Sequence, residues 1–531
     1  MKLKYVWIAA LSLGLVTCSD DDSSSSGSEP LPPLTAGSAD FSKYVAVGSS
    51  FTAGFTDNAL FAAGQQNSFT NMLSQRFALL GGGSFTQPLM NDNIGGFLFG
   101  GSPMLDPQGN DLFGPRLFFD GEGPTPLPAT QTTEATTNIY AQGPFNNMGV
   151  PGARSFHLLA AGYGTANPYF GRFASAPTAS VIGDAVAQNP TFFTLSEVGG
   201  NDVLGYATNG GDATLSTITD QATFDGAFNA LVDALTANGA KGVVTNVPYI
   251  TSLPHFTTVP HNPLEPSNPD FGPQIPMLNT IFGALNQVYM ALNAPERAII
   301  FSETEASAVV IRDESLADMS AQIAGALNAS PTFPAFIAQF GLPPQAAPLV
   351  ANLLGQTYGQ TRQATEDDLL VLPSSSVIGT VNMANVAALM GQGLPQALAG
   401  QFSVEGITLP LVDKWVLIPT EQQEIIAATD GFNATIESVA AANGLALVNF
   451  KELLLEASNG GISDGDFVLN TSLVTGGLVG LDGIHLTARG YAALANQFLI
   501  AIDTTYGSNF EASGSLVNSG AYPTNYPPTL Q

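Results

Sequence analysis

Positive charge is scarce in this chain. Its 531 residues include 14 Lys plus Arg against 43 Asp plus Glu, which gives a formal net charge of −29 at pH 7. A protein with so few cations neutralises few phosphates, and its own field repels polyanions. The composition therefore argues against nucleic acid and against anionic lipid head-groups as binding partners.

Cysteine is almost absent, since Cys18 is the only one. The chain also lacks Cys-x-x-Cys and His-Glu-x-x-His patterns, and it has no glycine-rich phosphate loop that ends in Lys-Ser or Lys-Thr. The segment Asp464-Gly465-Asp466 could bind a hard cation weakly, but a solvated turn is the favoured interpretation. We therefore expect no metal ion and no cofactor.

Long apolar runs are also lacking, except at the N-terminus. Lys2 and Lys4 precede an apolar stretch over residues 5–16, which is too short to span a bilayer comfortably and is typical of an export signal. Residues 15–18, Leu-Val-Thr-Cys, resemble a bacterial lipobox. That resemblance implies a signal peptide over residues 1–18 and lipidation of Cys18. A plain cleaved signal peptide with an incidental cysteine is the alternative.

The next segment, residues 19–40, is rich in Asp, Ser, Pro and Gly and is typical of a flexible tether. Its acidic start resembles the surface-export signals of some Gram-negative lipoproteins. We therefore expect an exported protein that is anchored by its N-terminal lipid to the outer membrane or cell surface of a Gram-negative bacterium.

A strand-to-helix junction follows the tether. Residues 44–54, Tyr-Val-Ala-Val-Gly-Ser-Ser-Phe-Thr-Ala-Gly, pass from an apolar strand pattern into a turn of small residues that opens a helix. At such a junction the Ser50 hydroxyl lies at the end of a sheet, close to backbone N–H groups that can stabilise an oxyanion. Taken alone, such a turn is more often explained by packing.

Three later segments change this interpretation. They are residues 147–154, Asn-Met-Gly-Val-Pro-Gly-Ala-Arg; residues 196–202, Ser-Glu-Val-Gly-Gly-Asn-Asp; and residues 481–487, Leu-Asp-Gly-Ile-His-Leu-Thr. In this order the four segments resemble the blocks of the SGNH (GDSL-type) hydrolase family of esterases and lipases. The resemblance implies that Ser50 is the nucleophile, with Ser49 in place of the family's Asp and Phe51 in place of its usual Leu.

A serine nucleophile needs a base within hydrogen-bond reach, and the base needs a partner that fixes its tautomer. Of the four histidines, only His485 follows a carboxylate, Asp482, by three residues in a loop that opens a helix. This spacing predicts a triad of Ser50, His485 and Asp482. The alternative interpretation is that Asp482-Gly483 forms a turn and that His485 caps a helix.

The resemblance also implies three donors for the negative oxygen of a tetrahedral intermediate. They are the backbone N–H of Ser50, the backbone N–H of Gly152 and the side-chain amide of Asn201. Glycine lets the backbone approach a substrate closely, and the Asn amide donates without adding charge. Each position could instead belong to an ordinary loop or turn.

Strand and helix patterns alternate along the rest of the chain. We predict helices over Thr223–Asn238 and over Thr487–Asp503. A third predicted helix begins with a capping box at Thr420 and Gln423 and runs to about Ala442. Strands are predicted over Gly242–Val247 and Leu445–Val448. Such alternation predicts an α/β protein with a parallel sheet flanked by helices. The resemblance implies the family's three-layer α/β/α fold.

The chain is longer than such a core requires. We expect a hydrolase domain over residues 41–506, with insertions at about 57–140 and 300–415, and an extended or disordered tail over residues 507–531. The second insertion contains apolar, Pro-broken segments that predict short helices. These helices could form a lid or an acyl-chain pocket, and a structural subdomain is equally favoured.

These features together predict a lipid-anchored envelope esterase or lipase that hydrolyses carboxylic esters through an acyl-enzyme. Its substrate would be an ester of a lipid or of an acylated glycan. Two alternatives remain: a carbohydrate esterase that removes acetyl groups, and a non-catalytic surface-binding lipoprotein that has kept the fold. The Ser49 departure favours the non-catalytic alternative, and the presence of Ser50, Asn201, Asp482 and His485 argues against it.

Overall fold

The computed structural model describes residues 30–107 and 109–531. The export signal, Cys18 and the start of the predicted tether lie outside these residues, so those predictions stay predictions. Within the described ranges, no helix combines the length and the apolar character that crossing a membrane requires.

Thirteen strands occur in the described residues, and most are short. They are β1 (Tyr44–Gly48), β2 (Leu117–Phe119), β3 (Pro124–Pro126), β4 (Asn147–Gly149), β5 (Phe192–Ser196), β6 (Lys241–Thr245), β7 (Val310–Arg312), β8 (Thr361–Gln363), β9 (Leu369–Leu370), β10 (Val416–Leu417), β11 (Ala446–Val448), β12 (Ile462–Asp464) and β13 (Phe467–Leu469).

Five strands form the central sheet, in the order β11-β6-β5-β1-β4, and every neighbouring pair is parallel. The other eight strands form four antiparallel pairs. The predicted α/β class with a central parallel sheet is therefore confirmed.

Seventeen α-helices lie in the described residues. They are α1 (Ser50–Ala53), α2 (Ala62–Gln66), α3 (Phe69–Ala78), α4 (Pro168–Gly171), α5 (Val181–Val186), α6 (Gly200–Thr208), α7 (Gln221–Thr236), α8 (Pro254–Thr257), α9 (Ile275–Ala291), α10 (Ser320–Ala329), α11 (Phe333–Ala338), α12 (Ala347–Tyr358), α13 (Met383–Gly391), α14 (Gln396–Gln401), α15 (Pro419–Asn443), α16 (Phe450–Asn459) and α17 (Ala488–Tyr506).

The helices beside the sheet fall into two groups. In the first group, α17 contacts α3 and the strands β6 and β11. In the second group, α7 contacts α5 and α15; α5 in turn contacts β1, and α15 contacts β6. This grouping is consistent with a three-layer α/β/α arrangement.

The sheet register brings three predicted site segments to one edge. Gly48, the last residue of β1, lies opposite Gly149 of β4 on one side and Ser196 of β5 on the other. Parallel strands end at the same edge of a sheet, where ligands of open α/β sheets bind. The loops after β1, β4 and β5 therefore leave the sheet next to one another.

The predicted helices and strands are present, with shifted ends. Helix α7 begins at Gln221 because the Asp220 side chain accepts a hydrogen bond from the Thr223 N–H at 2.9 Å. Strand β6 ends at Thr245, and the Val247 N–H donates instead to the Asn433 side chain at 2.7 Å.

The capping box predicted at Thr420 and Gln423 is wrong. Helix α15 begins at Pro419, and the Glu421 side chain accepts a hydrogen bond from the Ile418 N–H at 2.8 Å. Proline suits the first helical position because its fixed φ matches the helix and it has no N–H to satisfy.

A second hydrophobic core lies in the segment between Val259 and Ile418, apart from the core around the sheet. It begins before residue 300, the predicted boundary of the insertion, because α9 contributes several of its buried side chains. The predicted short helices are α10, α11 and α12, and they bury Ile323, Phe333 and Ala351 respectively in this core.

The segment after Tyr506, for which the sequence predicts an extended or disordered tail, packs back onto the domain. The buried Arg116 guanidinium donates hydrogen bonds to the carbonyl oxygens of Tyr526, Pro527 and Leu530 at 3.2, 2.7 and 2.9 Å. These contacts explain how a segment without strands or α-helices is held in place.

Candidate active site

The turn that carries Ser50 forms where β1 ends. Ser49 precedes α1, and Ser50 is the first residue of that helix. Ser50 is largely buried, with 8% of its surface exposed. The structure thus places the predicted nucleophile at the strand-to-helix junction that the sequence indicated.

A buried carboxylate binds this turn. Glu197, just after β5, accepts hydrogen bonds from the backbone N–H groups of Ser49 (2.8 Å), Phe51 (2.7 Å) and Thr52 (2.8 Å). Burial raises the pKa of Glu197 to about 7, against the lowering effect of these hydrogen bonds. Sequence reasoning missed this role, because no local pattern marks a contact between the loops of two strands.

His485 and Asp482 form the predicted pair. The imidazole Nδ1 lies 2.9 Å from the Asp482 Oδ2, and the carboxylate also accepts from the N–H groups of Ile484, His485 and Asn58, each at 2.8 Å. Burial alone would raise the pKa of Asp482, but the charge of His485 and these hydrogen bonds hold it below its usual value. The carboxylate is thus kept ionised beside the imidazole.

Two aromatic rings, those of Phe51 and Phe55, pack beside the His485 imidazole near the turn that carries Ser50. The imidazole centroid lies 5.5 Å from the Phe51 ring and 4.6 Å from the Phe55 ring. Phe51 directly follows Ser50, so His485 lies beside the turn. Within the described residues no hydrogen bond joins the His485 ring to the Ser50 hydroxyl.

A second carboxyl group, Asp57, lies behind the His485–Asp482 pair and was not predicted. It is buried and accepts a hydrogen bond from the Leu481 N–H at 2.9 Å. Burial raises its pKa to about 7, and the nearby charge of Asp482 adds to that effect. Asp57 therefore connects the loop after α1 with the loop that carries the predicted base.

Two of the three predicted oxyanion donors contact Ser49. The Asn201 Nδ2 donates to the Ser49 Oγ at 2.5 Å and to the Ala153 carbonyl at 3.0 Å. The Ser50 N–H donates to the same Ser49 Oγ at 2.6 Å. Gly152 has a φ of +78°, and a side chain there would meet nothing within 4 Å, so its backbone borders open space.

Buried polar side chains fasten these loops together. Asp202 accepts hydrogen bonds from the N–H and the hydroxyl of Ser155 at 2.9 and 2.7 Å, which ties α6 to the glycine loop. The Asn147 side chain accepts from the Gly149 N–H at 3.0 Å and donates to the Thr52 carbonyl at 2.8 Å. The relative position of the loops is therefore fixed by hydrogen bonds of buried side chains.

Two clefts border the site. A narrow cleft of roughly 50 Å³ touches Ser50 and Asn201, and its other walls are mainly apolar: Leu204, Pro248, Ile250, Leu253, Leu454 and Ile484. A wider cleft of roughly 780 Å³ touches Gly152 and Phe55, and it mixes apolar residues with Asn58, Asn110 and Asn167. The site thus has a narrow apolar side and a broad mixed side.

One group of carboxylates outside this site could hold a metal ion. Oxygen atoms of Glu314, Asp413 and Glu421 lie within 4.8 Å of one another. Burial, with repulsion between these groups, raises the pKa of Asp413 to about 8 and that of Glu421 to about 9. Acidic groups often lie this close together without a metal ion, so the carboxylates do not by themselves indicate a cation.

No family model, curated protein or solved structure matches this chain. Its function is therefore inferred from the resemblance of its short segments and from the geometry of the site.

Proposed function

We propose that this protein is a serine carboxylic ester hydrolase of the SGNH type. One observation carries the proposal: the loops after β1, β4 and β5 bring Ser50, Gly152 and Asn201 together beside the hydrogen-bonded pair of His485 and Asp482. Such a site supplies a nucleophile, a base with a fixed tautomer and donors for an oxyanion.

In the proposed acylation step, the Ser50 Oγ attacks the ester carbonyl carbon while the His485 Nε2 takes the hydroxyl proton. Asp482 stabilises the imidazolium through Nδ1. The tetrahedral intermediate then collapses, the bond from carbon to the alcohol oxygen breaks, and His485 returns the proton to the departing alcohol. Water repeats the sequence on the acyl-enzyme and releases the acid and free Ser50.

The narrow cleft supports an ester with an apolar acyl chain. It begins at Ser50 and Asn201, and aliphatic side chains form most of its walls. Each buried CH2 group contributes about 0.8 kcal/mol of binding. An acyl chain of several carbons therefore buries more CH2 groups against these walls than an acetyl group does.

The broad cleft supports a second candidate, a carbohydrate esterase that removes acetyl groups. It borders Gly152 and carries the side chains of Asn58, Asn110 and Asn167, which can exchange hydrogen bonds with hydroxyl groups. A bulky glycan could occupy this side as the alcohol part of the ester.

A fluorophosphonate probe tests the proposed nucleophile. The wild-type protein should be labelled, and Ser50→Ala should lose both labelling and hydrolysis of p-nitrophenyl esters. Turnover that rises from acetyl to longer esters favours the acyl-chain substrate, whereas preference for acetylated xylan favours the carbohydrate substrate. A Ser50→Ala variant that hydrolyses esters at the wild-type rate would contradict the proposal.

We also propose that Cys18 carries a lipid anchor. Wild-type protein made in a Gram-negative host should partition into detergent, and Cys18→Ser should remain soluble or unprocessed. One acyl chain binds membranes only marginally, so stable anchoring needs the several chains of a bacterial lipoprotein. Processed wild-type protein that stays in the aqueous phase would contradict the anchor.

A further inference from the structure

The Ser49 hydroxyl lies where the oxyanion donors converge. Its Oγ accepts a hydrogen bond from the Ser50 N–H at 2.6 Å and another from the Asn201 Nδ2 at 2.5 Å. These groups are two of the three donors expected for the tetrahedral intermediate. Ser49 is itself buried, with 2% of its surface exposed.

The hydrogens of these donors are all engaged. A backbone N–H offers one hydrogen and a side-chain amide offers two. The Ser50 N–H and one Asn201 hydrogen go to Ser49, and the other Asn201 hydrogen goes to the Ala153 carbonyl at 3.0 Å. Among the described residues, only the Gly152 N–H of the three expected donors makes no hydrogen bond, and the space beside its Cα, where a side chain would lie, is open.

Hydrogen bonds hold the backbone of Ser49 in place. The Ser49 N–H donates to the Glu197 carboxylate at 2.8 Å, and the same carboxylate holds the next turn of chain through Phe51 and Thr52. Serine has three staggered χ1 rotamers, and a change of rotamer would free both donors while these backbone hydrogen bonds stay in place.

We propose that the Ser49 hydroxyl fills the oxyanion hole in the resting protein and must rotate away before Ser50 can be acylated. This inference rests on the proposed function. Ser49 then acts as a positioning residue that competes with the developing oxyanion for the Ser50 and Asn201 donors. The competition lowers the rate of acylation and leaves ground-state substrate binding unchanged, because the oxyanion exists only after attack.

The test compares Ser49→Ala with wild type. Removing the competing hydroxyl should raise kcat on a short p-nitrophenyl ester by about threefold to tenfold, with KM unchanged. An alkylboronic acid, whose tetrahedral adduct places an oxygen in the same hole, should inhibit the variant at a concentration lower by a similar factor. Ser49→Thr, which keeps a hydroxyl at this position, should show neither gain.

The outcomes separate this inference from the function on which it rests. If Ser50→Ala is inactive but Ser49→Ala is equal to or slower than wild type, the inference is wrong and the hydrolase proposal stands. If Ser49→Ala abolishes fluorophosphonate labelling and Ser50→Ala does not, Ser49 is the nucleophile and both assignments fall. If neither wild type nor Ser49→Ala is labelled, both proposals are wrong.

Discussion

At the scale of single residues, Glu197 organises the turn that carries Ser50. Its carboxylate binds three backbone N–H groups of the turn, and it does so while buried, where an ionised carboxyl is costly. The balance leaves its pKa at about 7. The charge on this group therefore changes within the range in which most enzymes work.

Replacing Glu197 with Gln should change how stability depends on pH. The folded pKa of about 7 exceeds the unfolded value of 4.5, so the folded state binds this proton more tightly and wild-type stability falls as pH rises between those values. Glu197→Gln should lack this decline. Chemical unfolding between pH 4.5 and 7 measures the free energy of unfolding of each protein, with the exposed Glu296→Gln as the control. If this free energy depends on pH equally in wild type and in Glu197→Gln, the raised pKa of Glu197 is contradicted.

Replacing Asp482 with Asn should slow ester hydrolysis by about 10⁴-fold, because the amide no longer fixes the productive tautomer of His485. Asp57→Asn is a matched control, since Asp57 is a buried carboxyl near the pair that accepts only from the Leu481 N–H in the described residues. The loss of ester hydrolysis in Asp57→Asn should be far smaller.

The double variant Ser50→Ala with Asp482→Asn should be little worse than Ser50→Ala alone, because triad residues act together.

At the scale of secondary-structure elements, the end of β4 and the loop after it contain two glycines in different surroundings, Gly149 and Gly152. Gly149 packs against α1, and a side chain there would lie 2.3 Å from the Ala53 nitrogen. Gly152 has a positive φ, and its missing side chain faces the open cleft. Gly149 thus lets the end of β4 pack closely on α1. Gly152 lets the loop after β4 adopt the left-handed conformation with which it passes the site.

The two glycines should respond differently to substitution by alanine. Gly149→Ala should lower the melting temperature strongly, since the clash is with backbone of the nucleophile turn. Gly152→Ala should cost about 1–2 kcal/mol of stability from its left-handed φ alone, while kcat falls because a methyl group enters the site. Thermal unfolding with ester kinetics on each variant checks this, and a Gly149→Ala variant as stable as Gly152→Ala would contradict it.

At the scale of the whole molecule, acidic charge is the dominant electrostatic feature. The formal net charge is −29, and Glu314, Asp413 and Glu421 bring three carboxylates together between the second core and α15. Burial and mutual repulsion raise the pKa of Glu421 to about 9. This group therefore weakens the fold as the solution becomes more alkaline.

Glu421→Gln should stabilise the protein in alkaline solution. The folded pKa of about 9 lies above the unfolded value of 4.5, so wild-type stability declines as pH rises through that interval. The Gln oxygen can still accept the Ile418 N–H, so the start of α15 is preserved. The melting temperature of Glu421→Gln should exceed that of wild type increasingly toward the upper end of this pH interval. The exposed Glu437→Gln on the same helix is the control and should follow wild type. A Glu421→Gln variant that is less stable than wild type at the upper end would contradict the prediction.

Local patterns in the sequence determined the parts of the fold that local physics controls. The apolar run before Ser50 and the helix pattern over Thr223–Asn238 predicted β1 and α7, which the structure contains. The capping box at Thr420 failed because a neighbouring proline also starts helices well. Periodicity and turn residues carry such information because they act over one or two turns of chain.

The order of four short blocks and the spacing of Asp482 and His485 predict which segments carry the candidate site. How the side chains of these segments meet is visible only in the folded chain. Glu197 binds Phe51 across 146 residues, and Asn201 reaches Ser49 across 152 residues. Burial and hydrogen bonding between such distant residues depend on the sheet register and the loop paths, and no local pattern encodes them.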